Sequence, residues 1–354
     1  MFLLNRYIGR TVIKATGVIV LIVAGMNLFV SFAREFNNVG DGNYSVWRAM
    51  MFVPMNLPYD IYHIFPVIGL IGGIIGLGLL ASRSELIVMR TSGVSVFQIC
   101  WAVMRSALLL VVVVTILGET LAPRLEYLGE RMRARAQYSN KAIVTLHGLW
   151  MRDHHKFIHV KTVVNRRQLH EVTVYQYSDD LALQYAERAK ELRFVEGKWL
   201  AFDIAKTEFF PDHTKTTHIA KKTWNLKLDS RLLNLELNEP GDMTLNQLYH
   251  YIQYRKSNGL HASVYQLAFW QRIFQPLAVI IMILLAVPFV FGSLRTGTMG
   301  WRITVGLVFG LLFYLLDQLI GQLSLVYRLS PILGALFPLI LFAGIGVFMM
   351  RRVR

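Results

Sequence analysis

The chain has 354 residues, 54% of them hydrophobic and only 17% charged, against about 25% charged in an ordinary soluble domain. Its single cysteine excludes a disulfide scaffold and a cysteine-built metal site. A net charge of +15 invites a nucleic-acid reading, but long apolar runs and a mean hydropathy of +0.43 place most of the chain in a bilayer.

A membrane helix needs about 20 mostly apolar residues. Six stretches qualify: 15–33, 61–81, 99–118, 273–292, 303–326 and 332–350. The first is read as a retained helix and not a signal peptide, since no small-x-small cleavage site follows it and five more spans do. The predicted architecture is a membrane α-helical protein of six transmembrane helices, with an all-β domain, an antiparallel sandwich or open jelly roll, inserted between the third and fourth. Residues 1–121 hold the first three helices, 122–268 the inserted domain and 269–354 the last three.

Charge sets the orientation. One set of helix ends carries Arg6, Arg10, Lys14, Arg83, Arg90, Arg105, Arg295, Arg302, Arg351, Arg352 and Arg354, against the single acid Glu85. The opposite short segments balance Arg34, Arg48 and Arg328 against Glu35, Asp41 and Asp60. Both termini and the 82–98 and 293–302 loops are therefore expected in the cytoplasm, and the inserted domain outside it, in a multi-pass membrane protein. Most of the basic excess is then topology, and nucleic acid is not an expected partner.

The first span is followed directly by Arg34. The second holds Gly69, Gly72, Gly73, Gly76 and Gly78. The pairs Gly69/Gly73 and Gly72/Gly76 have the small-x-x-x-small spacing that lets helices approach closely. They serve either packing inside the bundle or an interface with a partner subunit. The loop after it, about 82–97, reads as a short amphipathic helix capped by Ser82 or Ser84 and ending near Gly93. It contains Ser84, Glu85, Leu86, Met89 and Arg90, with Leu86 and Met89 on one side. Such a helix either lies on the bilayer or is the plug by which a cytoplasmic motor grips a membrane subunit.

The third span ends at Glu119, read as interfacial, and continues as a helix over 124–138 carrying Arg124, Arg131, Arg133 and Arg135. With Arg34 these arginines crowd the outer mouth. Guanidinium groups bind phosphate bidentately, which suits an anionic amphiphile with its head at the outer surface. A solvated charge run is the plainer alternative.

In the inserted domain, Lys156 to Val163, Glu171 to Tyr177 and Lys198 to Ala205 alternate apolar and polar residues, as half-buried strands do. Turn-like clusters at 165–167, 178–180, 196–197 and 211–214 separate them, and the spacing suggests an antiparallel sandwich or open jelly roll. Residues 244–256 read as a helix capped by Thr244 or Asp242. Nine of the ten histidines lie here, His154, His155 and His159 among them. No carboxylate or cysteine completes a metal set, and no catalytic motif is present, so neither a metal nor a catalytic site is expected.

The fifth span repeats the small-residue device at Gly306/Gly310 and carries Asp317 beside Gln318. An intramembrane acid is costly and calls for a role, either in a proton relay or in helix-to-helix hydrogen bonding with Gln318 or a tyrosine. The chain has no phosphate-binding loop, so any ATP that drives it is hydrolysed on another polypeptide.

Several segments together carry a resemblance: Asn5-Arg6-Tyr7-Ile8-Gly9; Arg83-Ser84-Glu85-Leu86 through Ser92-Gly93; Gly148-Leu149-Trp150; Phe274-Gln275-Pro276-Leu277; Phe291-Gly292-Ser293-Leu294-Arg295; and Phe313-Tyr314 through Asp317-Gln318. Over essentially its whole length the chain resembles the LptF/LptG family, the permeases of the bacterial ABC exporter of lipopolysaccharide, and most its LptG-type members. The resemblance implies an LptF-type permease partner, a cytoplasmic ABC ATPase dimer holding ATP and magnesium, LptC, and periplasmic jelly-roll proteins that receive the lipid. No cofactor is implied on this chain. It also implies that the Ser-Glu-Leu helix docks into the ATPase, with Glu85 as the coupling residue, and that Arg34 and Arg133 meet the lipid phosphates. The LptG-type pattern has lysines around the outer end of the first helix; here Ser31, Asn37 and Asn38 stand nearby.

Two other classes of function remain at this point. A permease or mechanotransmission subunit of another ABC system shares the coupling loop without needing the outer arginines. A membrane-anchored binding or sensor protein needs no coupling helix.

Overall fold

The computed structural model describes residues 2–40, 43–137, 143–153, 156–165, 168–178, 180, 182–195, 198–210, 212–224, 240–291 and 298–352. The chain divides into two compact units. One is helical and comprises Met1–Val39, Val46–Glu130 and Ser263–Arg354; the other comprises Gly40–Ser45 and Arg131–Ala262.

The helical unit contains α1 (Phe2–Glu35), α2 (Val46–Ser82), α3 (Glu85–Thr91), α4 (Val96–Ile116), the start of α5 (Ala122–Gln137), α7 (Ser263–Phe291), α8 (Met299–Val326) and α9 (Pro331–Arg352). Helix α6 (Leu245–Ser257) belongs to the other unit. Six stretches among the described residues are long and apolar enough to cross a membrane: Leu3–Asn38, Val46–Ser82, Val96–Glu130, Ser263–Phe291, Met299–Val326 and Pro331–Arg352.

Three helices start well before the stretches expected from hydropathy, at 2, 46 and 263 against 15, 61 and 273. Hydropathy marks where a helix is greasy, while hydrogen bonding continues through Arg6, Arg10 and Lys14. Helix α2 also runs through Pro54, Pro58 and Pro66. Membrane helices tolerate proline where neighbours satisfy the carbonyls it releases. The third span continues as a helix, as the sequence reading expected. It passes through a π-helical turn, Leu117–Leu121, into α5, and the helical unit keeps this segment to Glu130.

The packing follows from the glycines. A Cβ at Gly76 would lie 2.8 Å from the Val12 Cα, and one at Gly72 would collide with Thr16, so α1 lies backbone to backbone on α2. Gly69 and Gly73 face Ile283 and Ala286 of α7. Gly306 and Gly310 of α8 receive Ile74 and Val67 of α2. These glycines therefore pack α2 against three neighbours within the chain. The buried core lies along these seams: Ile8 and Val12 from α1, Leu70, Ile74 and Leu77 from α2, Ile99 and Ala102 from α4, and Met282, Ile283 and Ala286 from α7.

Among the described residues the second unit carries a six-stranded antiparallel sheet: β1 (Ile143–Asp153), β2 (Lys156–Asn165), β3 (Gln168–Tyr177), β4 (Leu183–Val195), β5 (Lys198–Phe209) and β6 (Thr214–Trp224). The strands pair in chain order, as a meander. Register brings buried residue against buried residue: Ile158 with Val174, Val160 with Val172, Leu192 with Ala201 and Trp199 with Trp224. One face is thus a continuous apolar surface. On β3, Glu171 has a left-handed backbone, φ 49°. Lys161 donates to its carboxylate at 2.8 Å and, with Arg188, holds it below the usual glutamate range. Thr244 caps α6 in a reciprocal box with Gln247; the side chain of Asp242, the alternative cap, lies outside the described residues.

Candidate functional site

Within the 82–97 segment the expected coupling helix runs from Glu85 to Thr91, ending near Gly93 as the sequence reading had it. Left-handed residues stop it on both sides, Ser84 at φ 60° and Gly93 at φ 91°. Neither expected serine caps it. Ser84 takes the N-cap position without a side-chain bond, and the Ser82 hydroxyl donates back to the Leu79 carbonyl. The capping box lies one element later, where Ser95 and Gln98 close the start of α4.

Within α3, Leu86 is buried and Met89 packs against the same core. That leaves Ile87, Val88 and Arg90 exposed. Glu85 is half-buried, and the Tyr7 hydroxyl donates to its Oε2 at 2.8 Å. The presentation of α3 thus combines an anchored apolar side, an outward apolar pair and a carboxylate held by α1.

At the other end of α1, Arg34 is exposed. Asp60 of α2 takes a hydrogen bond from Asn27 and lies in the field of Arg34, while the Ser31 hydroxyl donates to the Asn27 carbonyl at 3.2 Å. The Arg34 charge is therefore partly offset by a neighbouring acid. On α5, Arg133 is half-buried and Arg124 exposed; the side chains of Arg131 and Arg135 lie outside the described residues.

Asp317 is half-buried on α8. Its partner comes from α7, where Gln271 Nε2 donates to Asp317 Oδ2 at 3.4 Å. Neither Gln318, which is exposed, nor a tyrosine takes that place. In the sheet, His159 packs on Trp150, whose ring also stacks on Tyr175. His154, His155 and the 292–297 segment with its Gly-Ser-Leu-Arg motif lie outside the described residues.

The family described as "Lipopolysaccharide export system permease LptF/LptG" matches residues 6–352. The chain belongs to the LptF/LptG family. It is 35% identical over 353 residues to the lipopolysaccharide export system permease protein LptG of Haemophilus influenzae, covering 99% of both chains. To the protein of the same name from Escherichia coli K12 it is 34% identical over 352 residues, covering 99% of this chain and 98% of that one. Six apolar helices with an inserted β domain are the architecture that this membership implied.

One polar centre of this LptF/LptG-family chain escaped the sequence reading. Arg272 of α7 is buried and forms an ion pair with Glu119, a partner that the sequence reading did not give this acid. The π turn explains the geometry. The Ala122 amide bonds to the Leu117 carbonyl and not to that of Gly118. In that register the Gly118 carbonyl would await the amide of residue 123, which is proline and has none. Arg272 Nη2 donates to it instead, at 3.0 Å. The Tyr62 ring fills the space where a Gly118 Cβ would be and lies under the guanidinium, 5.6 Å away. One turn on, Gln275 Nε2 donates at 2.9 Å to the Tyr62 carbonyl, which Pro66 leaves without its helical partner. The legible signal was Arg272 and Gln275 at spacing three on the approach to an apolar run, facing a lone acid and two prolines elsewhere in the chain.

Proposed function

We propose that this chain is one of two permeases of an ATP-driven exporter that extracts lipopolysaccharide from the bacterial inner membrane. The observation that carries this reading is the full-length family match on a chain that also presents α3, a short anchored helix in a loop between two spans, with Ile87, Val88 and Glu85 available to a partner. In the proposed assembly an LptF-type permease stands beside it, and an ABC ATPase dimer sits below, holding ATP and Mg²⁺. LptC and periplasmic jelly-roll proteins lie beyond. The charge distribution supports cytoplasmic termini and α3, with the β domain in the periplasm.

The residues divide the work as follows. Glu85, with Ser84, Leu86, Met89 and Arg90 around it, takes the thrust of ATP closure. Arg34 and the arginines of α5 hold phosphate groups of the lipid head. The cavity between the two permeases narrows, and the lipid moves toward the periplasm. Extraction costs roughly 0.8 kcal/mol per acyl CH₂ brought into water, so a lipid with several chains needs both a motor and a covered path.

The test is site-specific photocrosslinking in cells. A photoreactive residue at Ile87 is expected to capture the ATPase, and one next to Arg34 to capture lipopolysaccharide. Capture of neither, in an assembled complex, would refute the reading.

A further inference from the structure

The Tyr7 hydroxyl and the Glu85 carboxylate come from positions 78 residues apart and meet at 2.8 Å. Each is aimed by a buried neighbour. On α1, Ile8 and Val12 are fully buried, and Gly9 lies against Ser106 of α4, which fixes the rotation of the helix and with it the direction of Tyr7. On α3, Leu86 is 3% exposed and packed in the core, which fixes the direction of Glu85. Met89, one turn on, packs against the same core and holds the helix in that rotation. Arg83 approaches the same hydroxyl.

The chemistry of the pair matters. A phenol is a neutral donor, so it orders a carboxylate without cancelling its charge. Tyr7 occupies Oε2 only, and Oε1 is left to accept from another group. A side chain already held in one rotamer also loses less entropy when it docks.

We propose that Tyr7 is a positioning residue for Glu85: it pre-orders the carboxylate so that its second oxygen meets a donor on the ATPase. This rests on the reading of α3 as the ATPase contact. It assigns to the start of the first membrane helix a role in motor docking that is separate from packing.

A double-mutant cycle tests it. The complex with its permease partner is placed in nanodiscs and titrated with purified ATPase, for wild type, Tyr7→Phe, Glu85→Ala and the double variant, with thermal unfolding recorded for each. Tyr7→Phe keeps the ring and removes one hydrogen bond, so it is expected to weaken ATPase binding roughly three- to ten-fold. In the Glu85→Ala background the same change is expected to do nothing further. Equal weakening in both backgrounds would make Tyr7 a contact or packing residue in its own right and overturn the proposal, as would wild-type binding by Tyr7→Phe. Unaltered binding by Glu85→Ala itself would remove the coupling reading, and this inference with it.

Discussion

Arg272, buried, and Glu119, partly buried, form an ion pair between the fourth and third membrane helices, at the π turn that follows α4. A cation alone at that depth would be expensive. Here it is matched by a carboxylate, a backbone carbonyl and the Tyr62 ring. Removing the guanidinium strands both Glu119 and the Gly118 carbonyl. Arg272→Met is therefore expected to destabilise the helical unit by about 3–5 kcal/mol. Glu119→Gln, which keeps an acceptor for Arg272, should cost clearly less. Thermal unfolding of the purified complex in detergent gives the order, and equal losses for the two variants would count against the pairing.

The glycines of α2 set a second expectation. Gly76→Val would place a side chain where the Val12 backbone already is. Overpacking of a fitted core costs about 1–3 kcal/mol, and here backbone has to move. Lower yield of folded protein and a lower unfolding temperature are expected. Gly25→Val, with open space around its Cβ position, should change neither measurement, and its behaviour is the control.

Much of this was legible because bilayers impose simple rules. Six apolar runs, the asymmetry of the basic residues and the glycine pairs follow from helix length, charge and close packing, and can be read one residue at a time. What escaped depended on pairs far apart in the chain. Arg272 stands just before its expected span, and nothing next to it in the sequence names its partner until the π turn that follows α4 is known. Strand β4 was also missed. Leu183–Val195 is rich in Ala, Glu, Arg and Lys, all good helix formers. It becomes a strand because β3 and β5 hydrogen-bond it on both sides, and because Ala189 and Leu192 fall on the buried face. The end of α3 near Gly93 was legible, but the left-handed backbone at Ser84 was not, because a serine does not announce its φ.

At the outer end of α1, Asp60 lies in the field of Arg34, so in the proposed function it would oppose the binding of a lipid phosphate there. Asp60→Asn should then raise the amount of lipopolysaccharide copurifying with the complex by about two- to five-fold, the scale of a weak surface charge interaction. Arg34→Glu should lower it. Quantified lipid per complex is the readout, and a fall with Asp60→Asn would mean that the acid positions Arg34 for the lipid instead of competing for it.

The central claim is that this chain moves lipid when a motor pushes on Glu85. The direct measurement is ATP-dependent release of lipopolysaccharide from proteoliposomes containing the chain, its permease partner and the ATPase, for wild type and Glu85→Ala. Release by wild type that requires ATP, and is lost in Glu85→Ala while lipid remains bound, is the predicted result. Undiminished release by Glu85→Ala, or none from wild type with ATP hydrolysis intact, would contradict it.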